Sequence, residues 1–221
     1  MATSVNPTPL AQQGKYSAVR PGEWEAVNEP LYDSITYAAA GTTAQYRLFS
    51  LPIGQSGKTF ADTNMELAGQ LSAGIRFEVR AIELMIFPGV LPSPAATTPT
   101  TTTGQSNFIN DVWAIAKAGY LQFDILAKPY LRTGPLGNFP STKRLDVEAA
   151  LSDTTTAGAT QMNRVAYASL GGQQFQITPV LLDPNMNFSV TLNFPSTTAL
   201  PSTQDAKIFV FLRGIKTRLS Q

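Results

Sequence analysis

The chain has 221 residues, 43% of them hydrophobic but only 14% charged, well under the quarter usual in globular proteins. It contains no cysteine and no histidine. That excludes disulfides and thiolate chemistry, and it removes the commonest general base and the commonest transition-metal ligand. A formal net charge of +1 supplies no overall field for nucleic acid. So little charge suits a subunit buried among copies of itself better than a free monomer, which charge keeps apart from its neighbours.

Residues 1–30 read as an extended arm, punctuated by Pro7, Pro9, Gly14, Pro21, Gly22 and Pro30 and without periodicity. Met1 to Leu10 lacks the basic start and apolar stretch of a signal peptide, so synthesis in a cytoplasm without the usual export is expected. No run approaches the length of a membrane span. The arm and its junction carry Tyr16, Trp24 and Tyr32, aromatics that free disordered tails usually lack. Two readings stand: a tail folded over its own body, or an arm whose aromatics form a subunit interface.

Residues 31–221 read as one domain built from strands. Ile35, Tyr37 and Ala39 alternate until Gly41. Tyr46 and Leu48 lead into Phe49, Leu51 and Ile53 with the apolar phase shifted by one, which predicts a bulge or a bend. The same shift in residues 76–87 predicts one long strand bending near Arg80–Ala81. Residues 92–104, with the threonine run from Thr97, read as a surface loop. Asn107 is placed to cap a helix that Gly119 ends. Leu121, Phe123 and Ile125 alternate, and residues 141–151 suggest a second short helix. Residues 152–172 form a second polar loop, and Phe175 and Ile177 belong to a further strand. Phe188, Val190, Leu192 and Phe194 alternate with Asn187, Ser189, Thr191 and Asn193, the pattern of a half-buried antiparallel strand. Residues 208–212 are apolar on both faces, so that strand is central in a sheet or covered by a partner. Eight to ten strands, long loops and one helix give an all-β Greek-key sandwich or barrel.

The chemical motifs fail on inspection. Gly54-Gln-Ser-Gly-Lys-Thr59 resembles the end of a P-loop, but Pro52 stands where the first glycine belongs and no strong helix follows. Asp183 to Asn187 opens like a calcium loop, yet Phe188 and Phe194 occupy the glycine and glutamate positions. It reads as a turn in which Asn tolerates the left-handed region. Asp146 and Glu148 would share a face on a strand, but Lys143 and Arg144 beside them suggest a solvated, salt-bridged surface rather than a hydrolase. No enzyme and no cofactor is expected. Arg213, Lys216 and Arg218 make the C-terminal end basic. They are either a contact for phosphate or lipid headgroups or an ordinary charged strand end.

The run Phe175-Gln-Ile-Thr-Pro-Val-Leu-Leu-Asp-Pro-Asn-Met-Asn-Phe-Ser-Val-Thr-Leu-Asn-Phe-Pro, followed by Ile208-Phe-Val-Phe-Leu-Arg-Gly-Ile-Lys-Thr-Arg, resembles the closing strands of viral jelly rolls. More narrowly, it is similar to major capsid proteins of tailless icosahedral bacteriophages, several of which carry an internal membrane. The detailed likeness covers roughly residues 173–218. It implies a single jelly roll in a virion, assembling with copies of itself into trimeric or hexameric capsomers. It also implies penton or minor capsid proteins as neighbours, and an internal membrane or packaged genome on the inner face. Many relatives have two jelly rolls, for which this chain is too short. The alternative is a phage spike or carbohydrate-binding sandwich, for which Tyr120, Tyr130, Phe139 and Tyr167 are the available aromatics.

Overall fold

The computed structural model describes residues 22–41, 43–89, 102–141, 143–150, 162–169 and 174–219, with 102–109, 143–150 and 162–169 described by their backbone. Tyr16 and most of the two polar loops lie outside the described residues. Among the described residues eleven strands form, rather than eight to ten: β1 Trp24–Val27, β2 Leu31–Tyr37, β3 Gln45–Leu48, β4 Ile75–Phe87, β5 Tyr120–Ile125, β6 Lys128–Thr133, β7 Lys143–Ala150, β8 Met162–Ser169, β9 Phe175–Leu182, β10 Phe188–Asn193 and β11 Ala206–Leu219. The strands not foreseen are β1, inside the expected arm, β6, β7 and β8, the last inside the expected second polar loop. Residues 143–150 are a strand and not the expected second helix, because they pair residue for residue with β8, from Lys143 opposite Ser169 to Ala150 opposite Met162.

Two antiparallel sheets carry the fold. The larger runs β1-β11-β4-β9, with β2 also on β11; the smaller runs β3-β10-β5-β6. β1 and β2 lie end to end along the same edge of β11, which their registers place at residues 216–219 and 206–212. β11 is therefore central, as its double apolar pattern requires. Every second residue points between the sheets. The larger contributes Leu31, Tyr37, Phe77, Val79, Ile82, Leu84, Leu182, Ile208, Val210 and Leu212 to one buried cluster; the smaller contributes Leu48, Leu121, Phe123, Phe188, Val190 and Leu192. Each such side chain contributes about 1.5–3 kcal/mol by leaving water. The result is an all-β sandwich with one helix.

Two shifts in apolar phase have different causes. In β4 the register against β11 slips between Val79 and Ala81, so Arg80 is the extra residue of a bulge, while against β9 the same point faces three residues, 177–179. Opposite it, a Cβ on Gly214 would lie 1.8 Å from the Glu78 carbonyl oxygen, so only glycine admits the bent β4 backbone here. After β3 there is no bulge. Phe49 takes φ 63° and ends the strand in a bend; its N–H donates to the buried Asp33 carboxylate at 2.5 Å.

The helix α1 spans Thr102–Ala118, starting in the threonine run and five residues before the expected cap at Asn107. It buries Ile115 and Asp111, while Trp113 is 70% exposed. Asp111 accepts the Ser202 N–H at 3.1 Å, tying the helix to the loop before β11. Gly119 follows the helix as expected, but for close packing: a Cβ there would lie 2.9 Å from the Asn193 carbonyl. β10 is buried on both faces rather than half-buried, with Ser189 and Asn193 each 5% exposed. It sits between β3 and β5, whose longer side chains flank its short polar ones.

Candidate assembly surface

The outward face of the larger sheet follows from the register. Tyr32 pairs with Phe211 and Phe211 with Glu83; Ser34 pairs with Phe209 and Phe209 with Met85; Thr36 pairs with Lys207 and Lys207 with Phe87. Residues directly opposite in an antiparallel ladder share a face. Three strands thus place Tyr32, Phe211, Phe209, Met85 and Phe87 side by side on the surface turned away from the core. Their rings touch in series: Tyr32 to Phe211 at 5.9 Å, Phe211 to Phe209 at 6.1 Å and Phe209 to Phe87 at 5.6 Å between centroids. A fifth ring extends the row from a loop, with Phe60 at 6.1 Å from Tyr32, edge on. Phe60 is 65% exposed and Phe87 39%, so the row ends in open apolar rings.

The loop that brings Phe60 is the one resembling a P-loop. Its lysine is committed elsewhere: Lys58 pairs with the buried Asp33 and donates to the Ser34 carbonyl at 2.7 Å. The segment is a turn and no helix follows it. Two more ties hold it, the Tyr32 hydroxyl donating to the Phe60 carbonyl and Lys207 pairing with Asp62. Lys207, followed by the backbone and hydroxyl of Thr59, holds the Asp62 carboxyl well below its ordinary range. Burial, then the charges of Glu29 and Asp62, raise the Tyr32 phenol above its usual value. The loop also covers the outer edge of β2. The Tyr32 N–H donates to Asn64 Oδ1 at 2.9 Å, and the Asn64 amide donates to the Pro30 carbonyl at 2.8 Å. Backbone groups at this edge are thereby spent, which disfavours growth of the sheet by strand addition there.

The residues singled out from sequence are placed unevenly. Tyr32 lies in the row. Trp24 lies on the same outer face at the far end, opposite Leu219, 47% exposed and with the Arg76 guanidinium 4.9 Å from its ring. Eight residues of β11 separate their partners, or about 27 Å along the strand. Arg213, Lys216 and Arg218 do not converge. Arg213 shares the outer face with Phe211, whereas Lys216 is opposite the fully buried Phe77 on the inward side. Each has its own carboxylate: Arg213 with Glu83 at 2.6 Å, Lys216 with Glu29 at 3.1 Å, and Arg218 with Glu25. Of the aromatics considered for sugar binding, Phe139 is buried at 2% exposure, and Tyr130 donates to the Thr178 carbonyl at 3.0 Å. Tyr167 is in a segment described by its backbone. Asn185 takes the left-handed conformation in the turn after Asp183, at φ 66°.

Phe60, Phe87, Phe209 and Phe211 were not singled out. The signal for two of them was the doubly apolar β11, in which Phe209 and Phe211 fall on the opposite face from Ile208, Val210 and Leu212. No family model matches this chain, and no curated protein or solved structure is found similar to it.

Proposed function

We propose that this chain is a capsid-type structural subunit, a single jelly roll that assembles with copies of itself through the aromatic face of the larger sheet. The observation that carries the proposal is the row of five rings, half-buried along its middle and open at both ends, on a face that the fold itself does not need to cover. Apolar surface gathered this way, rather than scattered, is characteristic of interaction sites. Lys207, opposite Phe87 in the row, is paired with Asp62, so this part of the face suits an uncharged protein surface.

The order of pairing supports the jelly roll. Setting aside β1 and the β7–β8 hairpin, the remaining eight strands pair first with last and so inward: β2 with β11, β3 with β10, β4 with β9, and β5 with β6. Nested pairing of this kind is a long two-ply ribbon. Rolling it up adds the contacts β11 with β4 and β10 with β5 and yields two interlocked Greek keys. Many weak contacts repeated by symmetry would then close an icosahedral shell through capsomers.

The experiment is light scattering after size exclusion, with negative-stain microscopy, on the wild type and on F60S/F87S. Both substituted positions are exposed, so the fold should survive while assembly is lost. Monomers under all salt and crowding conditions, or variant particles indistinguishable from wild type, would overturn the proposal.

A further inference from the structure

The bulge at Arg80 shapes a second feature on the same sheet. Beside it opens a groove of about 560 Å³ lined by Ala26, Val27, Asn28, Arg80, Ala81, Gln174, Gln176, Arg213, Gly214 and Ile215. That volume lies in the range of small-molecule sites. Small residues from three strands make the floor, and Gly214 is held there by the approach of the Glu78 carbonyl. Two arginines and three primary-amide residues line the space, and among the described residues no acidic one does.

Both arginines are held in place. Arg80 donates through Nε to Glu78 and Arg213 through Nε to Glu83, each at 2.6 Å. The Arg213 guanidinium also lies 4.9 Å from the Phe211 ring. A guanidinium carries five N–H donors in a rigid fork. Pairing through Nε therefore orients each fork without exhausting it. The bulge is what brings Arg80 into play, since an inserted residue re-aims its side chain relative to the ladder.

We propose that this groove binds a small, multiply charged phosphate-bearing ligand, with Arg80 and Arg213 taking its oxyanions and Asn28, Gln174 and Gln176 its neutral polar groups. Two cationic forks and a space several times the size of one phosphate favour more than one anionic group. Phosphate on a free ligand and phosphate on a lipid headgroup share this chemistry.

The test is isothermal titration of the full chain with inorganic pyrophosphate, alongside flotation with vesicles containing a phosphoinositide. Saturable pyrophosphate binding is expected, weakened about tenfold by R80Q, the loss of one charge-assisted contact, and unchanged by R132Q on the other sheet. Flotation that R80Q abolishes would support the site with a headgroup as its source. Absence of binding to both probes, or equal binding by R80Q and wild type, would overturn it. R80Q leaves every ring of the aromatic row in place, so failure here and failure of the assembly proposal are distinguishable.

Discussion

The two sheets are alike on their inner faces and opposite on their outer ones. Inside, both present rows of fully buried Leu, Val, Ile and Phe. Outside, the smaller sheet shows Gln45, Arg47, Tyr120, Gln122, Asp124, Arg132 and Thr191 across its registers. Its polar groups serve one another: Gln122 donates to Asp124 at 2.8 Å, and Arg132 donates to the Tyr120 hydroxyl at 3.1 Å. The larger sheet shows Tyr32, Phe209, Phe211, Met85 and Phe87, with Phe60 added from a loop. Folding requires only the inner faces to be apolar. The aromatic part of the outer difference is therefore not explained by folding, and on the proposed function it is the surface that a second copy covers.

Even the ion pairs follow this division, and substitutions sharpen it. The largest effect is expected from R213M, which would remove the arginine paired with Glu83, a carboxylate at 0% exposure on the aromatic face. Removing one partner of a buried pair costs about 3–5 kcal/mol, and the bond from Ser141 at 2.6 Å holds the loss to the lower end. Urea unfolding should show it, and R213M/E83L should recover most of it. The same change at Arg132 on the smaller sheet should stay within about 0.5 kcal/mol. G214A comes next, since its methyl would meet the Glu78 backbone. Overpacking of this kind costs about 1–3 kcal/mol, read as a lowered thermal midpoint. The smallest effect concerns acid. Asp62 has a lowered pKa in the folded chain, so its contribution is present above its ordinary value of 3.8 and is lost as pH falls below it. Acid-unfolding curves of wild type and D62N should differ at neutral pH and converge at the acid end. Curves that stay parallel would show that the Lys207 pairing does not stabilise the fold.

Much of the sandwich was legible because its signals are local. The parity change at Arg80 announced a bulge, since a one-residue insertion swaps the faces of everything after it. The doubly apolar β11 announced a central strand. Residues 143–150 differ from the expected helix because Leu145 and Ala149 have helical spacing while Leu145, Val147 and Ala149 also alternate, and pairing with β8 decides between them. The aromatic row was mostly hidden, because it is assembled from four separate segments. Phe60 reaches it only through Lys58, Tyr32 and Lys207, ties that no spacing in the chain encodes. The split of Arg213 from Lys216 and Arg218 was readable from strand parity once β11 was known to run unbroken through all three.

The nested pairing has a consequence for how the chain is made. β2 leaves the ribosome before its neighbour β11, the last strand of the described residues. Contacts so distant in sequence are slow to form. Until β11 arrives, the larger sheet lacks its centre, and Phe209 and Phe211 are not yet beside Tyr32 and Phe87. If that face is the assembly surface proposed above, a nascent chain has no completed surface with which to capture its neighbours on a polysome. Translation itself would time the onset of association, confining it to molecules that have already folded.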